Sequence, residues 1–335
     1  MLARGIGAAT IDRVAADNGV PVCRRVWRTG AQASVIWLVI AGLTAQWSDT
    51  AEVGPTAVLA WGMAAIGLGL LVASLANRYV NLSRLSKTGP WAIALALLLA
   101  CWELVTAKLD LLPRPFFVSP QSLVGVYIDD WQRLANCMLH SLALLVTGYA
   151  TGALLGFLCG VAMAWWQTAS YWMHPLLRFV GPVPATAWLP MAFFVFPSSW
   201  SAAVFLIALA TGFPVTVLTW SGIAGVNVAY YDVARTLGAR PTFLVFRVAI
   251  PAALPSVFVG LFMGLGASFA LLVVAEMMGV KAGLGWYITW AQGWAAYSNM
   301  YAALFLMALM CSSVVTLLFR LRDHLLGWQR GLLRW

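Results

Sequence analysis

Charge is what this 335-residue chain has least of: 9% of its residues are Asp, Glu, Lys or Arg, against 62% hydrophobic. A soluble globular domain is about half apolar and about a quarter charged, so an ordinary soluble fold is excluded. Histidine is rarer still. The three copies, His140, His174 and His324, fall far apart along the apolar runs, and no metal site is expected from them. The five cysteines, at 23, 101, 137, 159 and 311, include no C-x-x-C pair. Four of them lie in or beside apolar runs and read as small core residues. No soluble domain, low-complexity tract or clear internal repeat interrupts the chain. Residues 1–30 are polar, carry five arginines and show no cleavable signal peptide. No nucleophile–base pair stands out, which argues against an enzyme embedded in the membrane.

What the chain does have is long apolar runs without strand-like alternation. Runs of this kind cross bilayers as helices, and eighteen tryptophans suit two interfacial belts. The expected fold class is all-α, a polytopic helical membrane protein. A crossing needs about 20 apolar residues. About eight stretches qualify: 31–47, 55–76, 89–106, 136–164, 179–197, 201–222, 252–276 and 299–319. The first two, with residues 1–88, read as a cytoplasmic segment and an appended two-span hairpin. Residues 89–335 read as a six-span core. If both termini are cytoplasmic, 16 of the 20 Lys and Arg fall in inside segments, as the positive-inside rule requires. Topology therefore accounts for the +9 net charge without nucleic acid as a partner; the implied partner is membrane lipid.

Four features stand out along the core. Gly148, Gly152, Gly156 and Gly160 recur every fourth residue, which puts them on one helix face and allows close helix packing. Pro182, Pro184 and Pro190 interrupt the fifth span. Irregular backbone at membrane depth is tolerated beside protein or a water-filled cavity, so these prolines and Trp188 are candidate pathway-lining residues. Glu276, near the end of the seventh span, is a further candidate because membrane-embedded carboxylates are costly. Glu103, near the end of the third, reads as a solvated helix-end carboxylate. The fourth feature is "DVARTLGARPTFLVFRVAIP", Asp232 to Pro251, within an inside loop at about 223–251. Asn227 can cap a first short helix, Gly238 can end it in a left-handed turn, and Pro241 can start a second, which Pro251 either ends or follows as the start of the seventh span. Tyr230, Val233 and Leu237 form an apolar stripe on the first helix, which is too short to be stable without a partner.

The chain resembles the permease subunit of binding-protein-dependent ABC importers, in the nitrate/sulfonate/taurine group. That family has a cytoplasmic loop of E-A-A, three residues, Gly, nine residues, then I-x-L-P. Here Asp232-Val233-Ala234, Gly238 and Val248-Ala249-Ile250-Pro251 keep the spacing. "PVPATAWLP" (182–190) resembles the family's P-I/V-P-x-x-A-W-I/L-P. "VVAEMMGVKAGLG" (273–285) resembles its A-E-M/L followed by G-L-G. The likeness runs from about Leu111 to the C-terminus and leaves residues 1–88 uncovered.

The resemblance implies a type I importer permease core in a bacterial cytoplasmic (inner) membrane. It implies a separate ABC ATPase subunit and a periplasmic or lipid-anchored substrate-binding protein. A second permease completes the pore, as a homodimer or a heterodimer. The loop becomes a coupling helix, with Asp232, Ala234, Arg235, Gly238, Ala239 and Pro251 as its contact residues. No G-x-x-x-x-G-K-[ST] occurs, so the chain is expected to be no enzyme and to hold no cofactor; ATP and Mg would be bound by the partner. Three departures bear on cargo. The family's S-L-x-R appears as Ser141-Leu142-Ala143-Leu144, Gly181 replaces the arginine of R-P-I/V-P, and the outer F-G-x-G-E-x-S-K appears as 196–203 without its charges. A small organic solute that is neutral or aromatic becomes a candidate beside the anions. The alternative from another class is an ion-coupled secondary transporter. That usually needs membrane-embedded carboxylates or broken helices in matched halves, and no inverted repeat is visible.

Overall fold

The computed structural model describes residues 27–50, 54–77, 88–113 and 115–327. The basic segments 1–26, 78–87 and 328–335, used above for orientation, lie outside the described residues. Among those described, every regular element is a helix. Among the described residues six helices are long and apolar enough to cross a membrane. Of the eight expected spans, 31–47 forms a 19-residue helix whose apolar run, Val35 to Ile40, is flanked by small and polar residues, and 179–197 is broken into short pieces.

The chain divides into two compact units at Asp129/Asp130. The first contains α1 (Arg28–Gln46), α2 (Thr56–Ala76), α3 (Gly89–Lys108) and α4 (Pro120–Asp129). Trp37, Ile40, Ala41, Met63 and Ala96 form its apolar centre. Two polar bonds join the helices there: Ser34 Oγ donates to the Gly67 carbonyl at 2.8 Å, and Trp37 Nε1 to the Ala92 carbonyl at 3.1 Å. Sequence grouped residues 89–106 with the core. In the structure this span belongs to the first unit, because Ala92 and Ala96 are small enough for Trp37 to lie against them.

The second unit contains α5 (Trp131–Trp165), α6 (Gln167–Val180), α7 (Leu189–Val195), α8 (Ser199–Ala224), α9 (Val228–Thr236), α10 (Pro241–Met278), α11 (Leu284–Gly293) and α12 (Tyr297–Leu325). Helix α8 is its most buried span and packs against α5 on one side and α10 on the other. The glycine line explains the first contact. A Cβ at Gly148 would meet Ile207 at 2.7 Å, and one at Gly156 the Gly212 carbonyl at 2.6 Å. One at Gly152 would overlap the Ala208 carbonyl, and one at Gly160 would lie 2.6 Å from Thr219. All four glycines therefore face α8. On the other side a Cβ at Gly260 or Gly264 of α10 would lie 3.1 Å from the Pro214 or the Thr211 carbonyl oxygen, respectively. Close contact of this kind replaces the hydrophobic drive that lipid removes. Two buried hydroxyls along the seam are satisfied locally: Thr211 Oγ1 donates to the Ile207 carbonyl, and Ser268 Oγ to that of Gly264; the buried Thr219 hydroxyl has no partner among the described residues.

Candidate functional site

The loop that follows α8 folds as an elbow. Asn227 Oδ1 accepts from the Ala229 N–H at 2.9 Å and caps α9, which runs only to Thr236. Gly238 then adopts φ +80°, in the left-handed region where a Cβ is strained. The turn is closed by Gly238 N–H to the Arg235 carbonyl at 2.9 Å and Ala239 N–H to that of Ala234 at 3.0 Å. Arg240 is extended, as a residue before proline should be, and Pro241 occupies the first helical position of α10.

The second helix of the expected hairpin is not separate. A π-helical stretch, Leu244–Ala249, runs directly into the long span. Pro251 does not end a separate helix; it lies just past that stretch, in the first turn of the regular α-helical part of the span, Ile250–Met278. Proline lacks the N–H that a regular turn would direct to the Arg247 carbonyl, and a π turn relieves the misfit.

Orientation of side chains divides the expected contact residues. Tyr230, Val233 and Leu237 are 60%, 61% and 82% exposed. They border an open hollow of about 730 Å³ that Gly238, Arg240, Phe243 and Phe246 also line. Asp232 and Arg235 are exposed and face each other across 3.5 Å, a distance that makes a weak pair. Ala234 borders the same hollow but exposes little of itself. It is buried against its own chain, so its small size serves the seating of α9. Tyr231 joins it there, packing on Ile223, Ala249 and Ala253.

Glu276, a candidate for the pathway, is held in a network of hydrogen bonds within the second unit. It is 1% exposed. Its carboxylate accepts from Ser141 Oγ at 2.6 Å and from the Gly285 N–H at 2.7 Å, and the same Ser141 Oγ accepts from the Leu284 N–H at 2.8 Å. Gly283 has φ +112°, and a Cβ there would overlap the carboxylate. The A-E and G-L-G motifs thus form one clamp that turns the chain from α10 into α11. Nearby, Tyr287 donates to Asp130 Oδ2 at 2.6 Å and accepts from Asn299 Nδ2 at 2.7 Å, while the Arg133 guanidinium lies 4.9 Å from the Trp290 ring centre. Burial and the Asp130 carboxylate raise the Tyr287 phenol above its usual pKa, so it remains a donor.

The proline segment connects α6 to α7 through a 3-10 turn, Ala185–Trp188. Pro182, Pro184 and Pro190 are exposed on this chain. Trp188 is partly buried, and its indole N–H has no partner among the described residues. The two positions where the resemblance leads one to expect arginine are closed. Leu144 is 1% exposed, and the Phe213 ring covers Gly181 where a side chain would start. Ser198 Oγ accepts from the Ser201 N–H and caps α8 within the uncharged stretch 196–203. Among the described residues no group of three His, Cys, Asp or Glu could hold a metal ion.

The glycine seam, the clamp and the elbow all lie in the second unit. Within that unit, residues 152–330 match the family described as "Binding-protein-dependent transport system inner membrane component". The chain belongs to this family. Similar proteins include a probable ABC transporter permease of Brucella abortus, 27% identical over 74% of this chain and 98% of its own length. The nitrate import permease NrtB of Synechococcus elongatus is 27% identical over 66% of this chain and 81% of its own length. The putative aliphatic sulfonates transport permease SsuC of Bacillus subtilis is 30% identical over 55% and 67%. This ABC permease is thus a multi-pass inner-membrane transport component of a binding-protein-dependent system.

Proposed function

We propose that this permease forms half of the translocation path of an ATP-driven importer and receives the power stroke through the α9 elbow. The observation that carries this reading is the exposed stripe Tyr230, Val233 and Leu237 beside a turn made at a glycine with positive φ. A nine-residue helix does not persist alone in water. This one is fastened on its inner side by Ala234 and Tyr231 and presents its apolar side outward. A groove on a separate ATPase subunit fits that surface. ATP and Mg would be bound there, with Asp232 or Arg235 supplying a polar contact at the rim. A substrate-binding protein on the opposite face and a second permease, identical or different, complete the assembly. The exposed prolines 182, 184 and 190, together with the unpartnered Trp188 N–H, favour the α6–α7 break as pathway wall.

The experiment is co-purification of the ATPase with this permease, alongside uptake in vesicles. Among the described residues, apart from its chain neighbours, nothing lies within 4 Å of a Cβ at Gly238. The strain of Gly238→Val is therefore confined to the turn, about 1–2 kcal/mol for positive φ. The expected result is normal membrane insertion with weakened ATPase association and abolished uptake. Asp232→Ala is expected to do less, since an exposed pair contributes roughly 0.2–1 kcal/mol. Normal association and uptake in Gly238→Val would refute the coupling role.

For cargo we propose a small organic solute, neutral or aromatic rather than an inorganic anion. Relatives are named for nitrate, bicarbonate and aliphatic sulfonates. Here buried Leu144 and the Phe213 ring over Gly181 occupy the two positions where the family pattern has cations. Tight binding of nitrate or a sulfonate by the cognate binding protein, measured by calorimetry, would overturn this.

A further inference from the structure

The N-terminal unit, which precedes the family match, encloses a cluster of charges that the transport reading does not use. Lys108 ends α3 in a π-helical turn, Leu104–Lys108, and its side chain is 2% exposed. The ammonium lies 2.8 Å from Asp49 Oδ1 and 3.7 Å from Glu103 Oε1. It also donates to the carbonyls of Thr44, at 3.2 Å, and Trp47. Those carbonyls close the C-terminus of α1, where main-chain acceptors run out of helical donors and the helix dipole is negative. Glu103, itself 3% exposed, accepts from Thr44 Oγ1 at 2.7 Å and from Gln121 Nε2 at 3.0 Å. Asp49 accepts from Thr56 Oγ1. One lysine thus joins the end of α1, the start of α2, the end of α3 and the start of α4.

The remaining packing of this unit is mostly apolar, around Trp37, Ile40, Ala41, Met63 and Ala96. In a bilayer such contacts discriminate poorly between registers, since lipid is as good a neighbour. Directional bonds to buried charges discriminate strongly, because a slipped register would strand a charge without its partner. We propose that Lys108 is a built-in counter-ion that latches this end of the N-terminal bundle and sets the register of α1, α3 and α4. The latch is a matter of charge balance. Two hydrogen-bonded carboxylates converge on one ammonium, and removing it leaves both in an apolar setting.

The test uses the full-length protein in detergent, comparing Lys108→Met with the triple variant Lys108→Met, Asp49→Asn, Glu103→Gln. Methionine keeps the lysine's length and loses its charge. The triple variant removes all three charges. A Gln at 103 can still accept from Thr44 and can donate to Gln121, whose Oε1 is buried without a partner. In Lys108→Met, hydrogen exchange should accelerate across 44–50 and 103–108, with the thermal midpoint lowered by about 5–10 °C. The triple variant should recover most of both. Wild-type exchange and midpoint in Lys108→Met would overturn the latch. So would a triple variant as unstable as the single one, because the lysine's contribution would then be packing. If Lys108→Met cannot be recovered folded, the triple variant decides alone: recovery supports the latch and failure overturns it.

Discussion

Residue identity matters most where a polar group has been buried for a purpose, and Glu276 is the clearest case. Its two acceptor oxygens hold a hydroxyl and a main-chain N–H from two different segments. Glu276→Ala would leave both donors unmet at about 1–3 kcal/mol each. The purified Glu276→Ala protein should show a clearly lower thermal midpoint, whereas Glu276→Gln, which keeps one acceptor, should lose less. Equal midpoints for the two variants would remove the clamp from the account. The carboxylate and its position near the end of a span were legible in the sequence; the partners that hold it were not. Ser141 and Gly285 lie 135 and 9 positions away from Glu276 in the chain, and periodicity carries no information about such a meeting. Glu103 is similar. It reads as a solvated helix end, yet it is buried because Thr44, Gln121 and Lys108 converge on it.

Elements are placed here by the absence of side chains as much as by their presence. The repeat Gly148, Gly152, Gly156 and Gly160 was readable as a packing face from its spacing alone, and α8 is what packs on it. Gly152→Ala should push α5 and α8 apart, since the obstacle is the Ala208 main-chain carbonyl. A destabilisation of about 1–3 kcal/mol is expected for such overpacking. Gly62→Ala and Gly69→Ala in α2 meet nothing within 4 Å and should leave stability unchanged or slightly raised. Thermal midpoints of the three variants check the contrast, and the idea fails if Gly152→Ala is as benign as the others. The elbow was also anticipated in outline. Its cap at Asn227, its turn at Gly238 and the helix start at Pro241 follow from local chemistry. The fusion of its second half with α10 does not, because a π stretch is adopted to accommodate Pro251 within a span that tertiary packing holds together.

At the scale of the whole molecule, the expected orientation puts α9, Arg240 and Arg247 on the cytoplasmic side. Thr242→Cys should therefore resist an impermeant thiol reagent added outside intact cells and react after the membrane is opened. Labelling from outside would reverse the topology and the coupling proposal with it. The all-α class, the apolar spans and the family were determined by the sequence itself, through composition, uninterrupted apolar runs and motifs kept in order. Local punctuation decided where helices start and turn, because caps, proline and glycine act through main-chain bonds only a few residues long. Tertiary structure alone decided three further things: that the third span packs with the first two, that Ala234 is buried, and that Lys108, Glu103 and Asp49 form one buried cluster. Each depends on which residues distant in the chain share a volume. A charged residue near a span end can face water or close a latch, and only its neighbours in space determine which.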